Sequence, residues 1–286
     1  MKLDFHTHST ASDGLLSPSE LIAAAKEAGI EKLALTDHDT MEGLDEAASA
    51  ARAAGINFIR GVELQIDWPD TGAMEKMEKR DFHLLGLYLE KPSPKLKRVL
   101  HELQRQRETR NKKIIAKMNE LGIAATLDEI RPLARGAYTA YIGRPHFAGF
   151  LINKKIVRTT EEAFNKYLSK GKQLYEPKGG IKLHRAISAI KESGGLAILA
   201  HPASLYISWG RLPEVLTHLK KAGLDGIEAW HPISTKHEAK RFCALAAEFD
   251  FCISAGSDFH GDRRDRKLGR CCDGIEITDK LISGMR

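Results

Sequence analysis

Two histidines near the amino terminus have the spacing of metal ligands. His6 and His8 fall in a stretch over residues 3–8 that is predicted to form a strand. Side chains two apart on a strand point to the same face, so both imidazoles face one way. Asp13 follows in a short loop and adds a carboxylate. Two imidazoles and a carboxylate at a strand end favour a metal site, although a half-buried strand with two polar residues would show the same pattern.

Six further histidines and carboxylates lie at the ends of other predicted strands. They are His38, Glu63, His83, His201, Asp258 and His260. Buried polar groups need partners, so ordinary core packing does not readily account for so many polar side chains at strand ends. Nitrogen and oxygen donors suit Mn²⁺, Zn²⁺ or Fe better than Mg²⁺, and nine donors without cysteine exceed one structural zinc site. We therefore expect a site for two or three ions.

The elements that must position these donors alternate along the chain. Strands are predicted over residues 32–36, 58–63, 82–88, 196–200, 226–229 and 251–255. Helices are predicted between them, over residues 21–28, 44–54, 182–193, 212–222 and 235–249. This order predicts an α/β fold with a parallel sheet or a barrel, in which catalytic groups gather at the carboxyl ends of the strands.

The alternation stops between residues 92 and 177. We predict a discontinuous barrel, 1–91 and 178–286, that carries a helical insertion at 92–177. The insertion contains 18 lysines and arginines against 8 acidic residues, in a chain whose net charge is +6. A basic segment on a slightly acidic body indicates an anionic substrate, either nucleic acid or a small phosphate ester, although a solvated basic surface has the same composition.

Four residues of the insertion are candidates for binding an anion. In a helix predicted over 95–121, the apolar stripe is interrupted by Arg107 and Arg110. These side chains either snorkel to water at a gap in the packing or face a cleft and bind an anion. Arg144 and His146 begin another predicted helix, where a phosphate would be favoured, although a structural histidine is equally compatible with this position.

Composition indicates the cellular compartment in which the protein is expected. No apolar run approaches the roughly twenty residues that span a bilayer, and the amino terminus has no apolar signal region. The cysteines form no CxxC pair, so reduced thiols are expected at Cys243, Cys252, Cys271 and Cys272. We expect a cytoplasmic protein without membrane association, and no obligate protein partner is evident.

Taken together, the motifs resemble the PHP (polymerase and histidinol phosphatase) family. The matching stretches are HTHS at 6–9, SDG at 12–14, TDHD at 36–39, GVE at 61–63, the His83 strand, AHP at 200–202 and GSDFH at 256–260. The resemblance covers both ends of the chain and all nine donors. It implies a distorted (β/α)₇ barrel with a trinuclear site, often occupied by Mn²⁺.

The family pattern also implies how the ions divide the donors. Glu63 and Asp258 would bind one ion together with His6 and His8. Glu63 would bridge to a second ion, which is also held by His83 and His201. The third ion would be held by Asp13, His38 and His260.

The insertion is similar to that of the 3′,5′-nucleoside bisphosphate phosphatases and of relatives that act as 5′–3′ exoribonucleases. The similarity rests on Arg107, Arg110 and the stretch GRPHF at 143–147. It implies that the insertion caps the site and holds the substrate, a small phosphorylated nucleotide or short RNA. Besides the nine metal ligands, which would be catalytic, the expected substrate-binding residues are Arg107, Arg110, Arg144, His146, Asp13 and His38.

Our functional hypothesis is metal-assisted removal of the 3′-phosphate from a 3′,5′-nucleoside bisphosphate, through attack of a hydroxide bridging two ions. The first alternative is an exoribonuclease, which aromatic stacking residues would favour; the insertion offers Tyr138, Tyr141, Phe147 and Phe150 for stacking or for packing. A histidinol-phosphate phosphatase is a weaker alternative, because its substrate has one phosphate. A metal-stabilised nucleic-acid-binding module without turnover is the non-enzymatic alternative.

Overall fold

The fold is built on one mixed sheet. The structure, a computed structural model, describes residues 1–68, 74, 80–134, 141–261 and 266–285. Within these residues seven strands pair in chain order. They are β1 (Leu3–Asp4), β2 (Lys32–Leu35), β3 (Asn57–Ile66), β4 (Phe82–Leu87), β5 (Leu196–Leu199), β6 (Gly226–Trp230) and β7 (Cys252–Ala255).

The sheet curls into a nearly closed barrel. The Phe5 N–H donates to the Ala255 carbonyl at 3.1 Å, and the His8 N–H donates to the Phe259 carbonyl at 2.9 Å. These bonds join the two ends of the sheet just beyond β1 and β7. The predicted seven-stranded α/β barrel is therefore confirmed, although the ladder of the first strand is shorter than the predicted 3–8.

One strand runs against the others. Strands β1, β2 and β3 are parallel, and so are β5, β6 and β7. Strand β4 is antiparallel to both of its neighbours, β3 and β5. The prediction of a parallel sheet or a barrel did not include this reversal. No α-helix lies among the described residues between β3 and β4, and a parallel neighbour would need a crossover of a dozen or more residues, usually through an α-helix.

Helices cover the outside of the barrel and build the insertion. In chain order they are α1 (Pro18–Glu27), α2 (Leu44–Ala54), α3 (Pro94–Glu120), α4 (Leu127–Ile130), α5 (Arg144–Asn153), α6 (Thr160–Ala163), α7 (Leu183–Glu192), α8 (Leu212–Lys221) and α9 (Lys236–Glu248). Local sequence sets their ends. Ser17 and Glu20 form a capping box at α1, and Gly55 ends α2 in the left-handed conformation.

Helix α3 joins the barrel to the insertion. Its first half places Leu96 and Leu103 in the barrel core, whereas its second half places Ile114 and Met118 in a separate hydrophobic cluster. The other buried members of that cluster include Ile130, Phe147, Phe150, Leu151, Leu168 and Leu174. The insertion thus has a core of its own, and one rigid helix holds it over the barrel. Of the predicted aromatic candidates, Phe147 and Phe150 are core residues, and Tyr138 lies outside the described residues.

Two short helices of the insertion continue into turns of other types. Helix α4 is followed by a 3₁₀ turn, Arg131–Leu133. Helix α6 is followed by a π-helical turn, Phe164–Leu168. All four cysteines are free thiols. No helix in the described part of the chain has both the length and the apolar character needed to cross a membrane.

Candidate metal centre and anion-binding cavity

Five of the predicted donors converge on a sixth, Glu63, at one rim of the barrel. Its Oε2 lies 3.2 Å from His6 Nε2, 3.3 Å from His8 Nε2 and 3.0 Å from His38 Nδ1. Its Oε1 lies 2.8 Å from His83 Nδ1 and 2.9 Å from His201 Nε2. The two oxygens of one carboxylate therefore face two different groups of imidazoles. This is the arrangement that a bridging ligand would need.

A second group of donors gathers beside the first. Asp13 Oδ1 lies 3.4 Å from His260 Nε2 and 3.9 Å from His38 Nε2. Asp258 Oδ1 lies 3.2 Å from His8 Nε2. One potential ligand atom from each of His8, Asp13, His38 and His260 falls within a 4.8 Å span. The structure thus brings together all nine donors that the sequence singled out.

The strand directions explain how His83 and Glu63 reach this rim. Glu63 was predicted near the end of its strand, but it lies inside β3, beside the Asp37–Asp39 segment that follows β2. His83 is the second residue of β4 rather than a residue at its carboxyl end. Because β4 is antiparallel, its start lies next to Gln65 near the end of β3. The reversed strand therefore delivers His83 to the same rim.

The chemistry of the donor set fits metal ions. Both ring nitrogens of His8 are buried and make no hydrogen bond to any described residue, although Nε2 faces the carboxylates of Glu63 and Asp258. A buried imidazole without hydrogen bonds is costly, and an ion bound by Nε2 and these carboxylates would satisfy it. Other histidines have one nitrogen anchored and the other aimed at the cluster: His6 by Glu228, His83 by Gln65 and His201 by Ser204. Outer partners of this kind orient metal-bound histidines.

Asp37 holds the loop that carries Asp13. Its carboxylate accepts hydrogen bonds of 2.6 Å from the hydroxyls of Ser9 and Ser12. A side chain at Gly14 would place its Cβ 2.5 Å from the His8 carbonyl oxygen. The serines and the glycine of this loop therefore have a structural role, because they bring Asp13 back toward the two histidines.

Three arginines of the insertion line the cavity above the donors. The cavity has a volume of about 410 Å³, and its wall includes seven of the nine donors together with Arg107, Arg110 and Arg144. His6 and His8 lie beneath, fully buried. Of the two interpretations of the interrupted helical stripe, the structure supports a helix that faces a cleft. The predicted residues Arg107 and Arg110 are largely withdrawn from bulk water and line the same cavity as the donors.

Arg107 and Arg110 are fixed by the protein around them. Arg107 forms an ion pair with Asp39, and its guanidinium lies 3.8 Å from the centre of the Tyr141 ring. Arg110 is 5% exposed and donates to the Ile142 carbonyl at 3.2 Å. Burial, with Arg107 and Arg144 nearby, lowers the pKa of Arg110 to about 10. Arg110 remains charged at neutral pH, and an anion would relieve the repulsion among the three cations.

His146 has a different place. Its Nδ1 accepts a 2.9 Å hydrogen bond from the Gly143 N–H, which caps the start of α5. Among the described residues His146 does not contribute to the wall of the cavity. The structure thus shows a capping histidine at this position, and a role in anion binding stays a prediction.

Comparison with known proteins decides the family. The profile of the PHP domain matches residues 4–179. This chain belongs to the PHP family. A 5′–3′ exoribonuclease of Haemophilus influenzae is 37% identical over 98% of this chain and 97% of its own length. A 3′,5′-nucleoside bisphosphate phosphatase of Chromobacterium violaceum is 32% identical over 90% of this chain and 87% of its own length.

Solved structures agree with this assignment of the PHP fold. An amidohydrolase from Chromobacterium violaceum, solved with bound sulfate and no metal, superimposes with a TM-score of 0.83 at 30% identity. The match covers 99% of this chain and 98% of that one. A protein from Bifidobacterium adolescentis described as a metal-dependent phosphoesterase gives 0.82 at 26% identity, covering 98% and 93%. The PHP chain described here is therefore a metal-dependent hydrolase of phosphoesters.

Sequence reasoning missed three residues of the PHP centre. Glu228, inside β6, lies 3.0 Å from His6 Nδ1. His231 Nε2 lies 3.4 Å from Asp258 Oδ2, and Arg266 also pairs with that carboxylate. A signal for His231 was available, because its His-Pro pair follows a strand just as His201-Pro202 does. Glu228 and Arg266 carry no comparable signal, since their partners are remote in sequence.

Most protonation states in the PHP centre are those of metal ligands. Burial opposes a charge on Glu63, but His38, His83 and His6 hold the pKa of its carboxyl well below the usual range. Burial lowers the pKa of His38, His83 and His231. The carboxylate is thus charged and these imidazoles are neutral at pH 7, which are the forms that bind cations.

His6 is the exception among these histidines. Burial opposes its charge, but Glu228 and Glu63 raise its pKa to about 10. An ion bound there must therefore displace a proton.

Proposed function

We propose that this PHP protein removes the 3′-phosphate from a 3′,5′-nucleoside bisphosphate and leaves the 5′-monophosphate. One observation carries the proposal: a single cavity of about 410 Å³ is lined both by seven of the nine donors and by Arg107, Arg110 and Arg144. A substrate with two phosphates satisfies both groups at once. One phosphate lies at the donors, and the second, unreactive phosphate lies among the arginines.

In this proposal the donors bind the metal ions and the arginines orient the substrate. The nine donors would hold two or three ions, with Mn²⁺ as the proposed metal. When bound, the ions supply charge neutralisation and an acidified water. Arg107, Arg110 and Arg144 orient the nucleotide through its 5′-phosphate, which aligns the 3′-phosphate with the donors. In the reaction the phosphorus–O3′ bond breaks, a water oxygen joins phosphorus, and the 3′ oxygen takes up a proton.

Loss of one arginine should weaken bisphosphate binding selectively. We expect Arg107→Ala to raise the KM for adenosine 3′,5′-bisphosphate about 10- to 100-fold, because a hydrogen bond to a charged group contributes roughly 1.5–3 kcal/mol. Turnover of adenosine 3′-monophosphate, which lacks the 5′-phosphate, should change little. Steady-state kinetics with Mn²⁺ on both substrates measures the difference.

The control for this experiment is Lys112→Ala, an exposed cation on the same helix outside the wall of the catalytic cavity. It should leave both substrates unaffected. Equal losses on the two substrates for Arg107→Ala would contradict the proposed role of the arginines.

A second candidate function uses the same bond. In a 5′-phosphorylated RNA, the phosphorus on the first 3′ oxygen also carries the next nucleoside, and its hydrolysis releases one nucleotide. The 37% identical relative named as an exoribonuclease favours this activity. Comparing turnover of the bisphosphate with that of a short 5′-phosphorylated oligoribonucleotide ranks the two activities. A histidinol-phosphate substrate is less suitable, because its single phosphate leaves the arginines without a ligand.

A further inference from the structure

A large basic groove adjoins the catalytic cavity. It has a volume of about 840 Å³ and lies between helix α3 and the segment 176–179, where the chain returns to the barrel. The exposed cations along its α3 side are Lys97, Arg98, His101, Arg105 and Lys113, with the histidine charged only when protonated. From residue 97 to residue 113 the helix advances about 24 Å at 1.5 Å per residue. The groove is therefore far longer than one mononucleotide requires.

The charge of the groove is not neutralised by its own acidic residues. Lys97, Arg98, Arg105 and Lys113 form no ion pair with any residue in the described ranges. The two carboxylates in the wall are already engaged with cations on its margins. Glu102 pairs with Arg185 at 2.8 Å, and Glu176 pairs with Lys117 at 2.7 Å. The groove thus presents a row of uncompensated positive charge, which attracts a polyanion.

The groove and the catalytic cavity share a wall. Arg110 and Lys178 line both of them. Arg110 is buried between the two spaces, and Lys178 reaches across to Asp81 at 3.1 Å. A longer strand continues from the phosphate at the donors. Lys178 pairs with Asp81, two residues before His83, and also lines the groove, so the strand can leave the donors past Lys178 and enter the groove.

The composition of the groove indicates what it recognises. Among the described residues that line it there is no Phe, Tyr or Trp, so stacking on bases is not its mode of binding. Cations along a track without such rings bind a nucleic-acid backbone and do not read its sequence. An acidic peptide would share the charge, but it has no reason to end at a phosphoesterase site.

We propose that this groove binds the sugar-phosphate backbone of a single-stranded RNA, downstream of the nucleotide that occupies the catalytic cavity. The proposal rests on the proposed function for the orientation of the strand, with its 5′-phosphate among the arginines. It assigns Arg105 and Lys113 a role that appears only with substrates longer than one or two nucleotides.

The test compares substrate lengths in a matched pair of variants. Arg105→Ala/Lys113→Ala removes two groove cations, and Lys112→Ala/Lys172→Ala removes two exposed insertion cations outside the groove. The substrates are adenosine 3′,5′-bisphosphate, a 5′-phosphorylated dinucleotide and an unstructured 5′-phosphorylated ten-nucleotide RNA, all with Mn²⁺. Each is measured as kcat/KM across a range of salt concentrations.

The groove variant should lose on the order of tenfold in kcat/KM on the ten-nucleotide RNA and little on the two short substrates. Its salt dependence on the long RNA should also weaken, with the slope falling by about 1.4, since each phosphate contact in a single strand contributes about 0.7. The control variant should behave as wild type. Equal losses on all three substrates, or equal losses in the two variants, would overturn the proposal.

Competition separates failure of the groove from failure of the proposed function. If wild type hydrolyses the bisphosphate but neither cleaves the ten-nucleotide RNA nor is inhibited by it, the groove proposal is wrong and the phosphatase proposal stands. If wild type cleaves the RNA but not the bisphosphate, the phosphatase proposal is wrong. The loss of kcat/KM on the ten-nucleotide RNA in the Arg105→Ala/Lys113→Ala variant then still tests whether the groove binds RNA. Inhibition by a ten-residue polyglutamate peptide as strong as that by the RNA would also reject the RNA groove.

Discussion

At the scale of single residues, the centre is organised by how each histidine uses its two nitrogens. His6 directs Nε2 toward Glu63 and Nδ1 toward Glu228, and His83 is divided in the same way between Glu63 and Gln65. An anchored nitrogen fixes both the ring orientation and the tautomer, which leaves the other nitrogen available to an ion. Glu228 is therefore a positioning residue, although it lies outside the predicted donor set.

Glu228→Gln should weaken metal binding without removing a predicted ligand. A neutral amide of similar size cannot hold the Nδ1–H of His6 as a carboxylate does, so we expect about 10- to 100-fold weaker Mn²⁺ affinity. Calorimetric titration of the metal-free variant with Mn²⁺ measures this without relying on activity. The control is Glu248→Gln, an exposed residue near the end of α9. Unchanged affinity in the Glu228 variant would show that His6 is oriented by packing alone.

At the scale of elements, the closure of the barrel and the metal centre depend on the same close contact. Gly256 follows β7, and a Cβ at this position would lie 2.2 Å from the Cβ of His6 and 2.7 Å from Glu228 Oε1. Its N–H donates to the Trp230 carbonyl, so the backbone cannot easily move aside. A glycine at this position lets the first and last segments of the barrel approach each other.

Gly256→Ala should therefore destabilise the fold and disturb the centre together. Overpacking of this kind costs typically 1–3 kcal/mol, so we expect a loss of about that size in the free energy of unfolding, with weaker Mn²⁺ binding. Denaturant unfolding and metal titration provide the two measurements. Gly210→Ala is the matched control, because nothing lies within 4 Å of its added Cβ. A Gly256 variant as stable as the control would contradict the close-packing argument.

At the scale of the whole molecule, an α/β barrel provides the donors and a separate helical insertion provides the cations. Helix α3 spans both cores, which fixes Arg107 and Arg110 relative to Glu63. The cluster of buried imidazoles and carboxylates is also a cost to folding. Without ions, the neutral histidines must be kept from protonating as the pH falls.

The metal-free protein should lose stability in mild acid. Burial lowers the pKa of His38, His83 and His231 below the value of about 6.5 that they have in the unfolded chain. Below about pH 6.5 the unfolded state therefore binds more protons, and stability falls by on the order of 1 kcal/mol per pH unit for each histidine. His6, whose pKa is raised to about 10, adds little slope well below pH 6.5, where both states bind its proton, but it makes stability fall as the pH rises from about 6.5 toward 10.

Thermal unfolding in chelator at pH 5, 6, 7 and 8 measures this effect, with parallel samples in excess Mn²⁺. The midpoint should fall below pH 6.5 in chelator. Mn²⁺ should raise it strongly at pH 7 and less at pH 5, where protons compete for the imidazoles. A midpoint in chelator that does not fall between pH 6 and pH 5 would mean that these histidines are not buried in their neutral form.

Much of the fold was predictable because its signals are local. The capping box at Ser17, the left-handed Gly55 and the bounds of α2 follow from neighbouring residues alone. The alternation of strands and helices indicated an α/β barrel for the same reason. The direction of β4 was not predictable, since the hydrogen bonds that set it come from β3 and β5, and β5 lies more than a hundred residues further along the chain.

The sequence by itself determined which donors reach the rim of the barrel, because each follows, lies within or begins a strand whose own pattern is readable. The tertiary structure alone decided what surrounds them. Glu228 contacts His6 from 222 residues away in the chain, and Arg266 pairs with Asp258. Arg107 of helix α3 pairs with Asp39 of the barrel. Side-chain type and local spacing can be read from neighbouring residues. The partner of a buried side chain depends instead on how distant segments of the chain pack together.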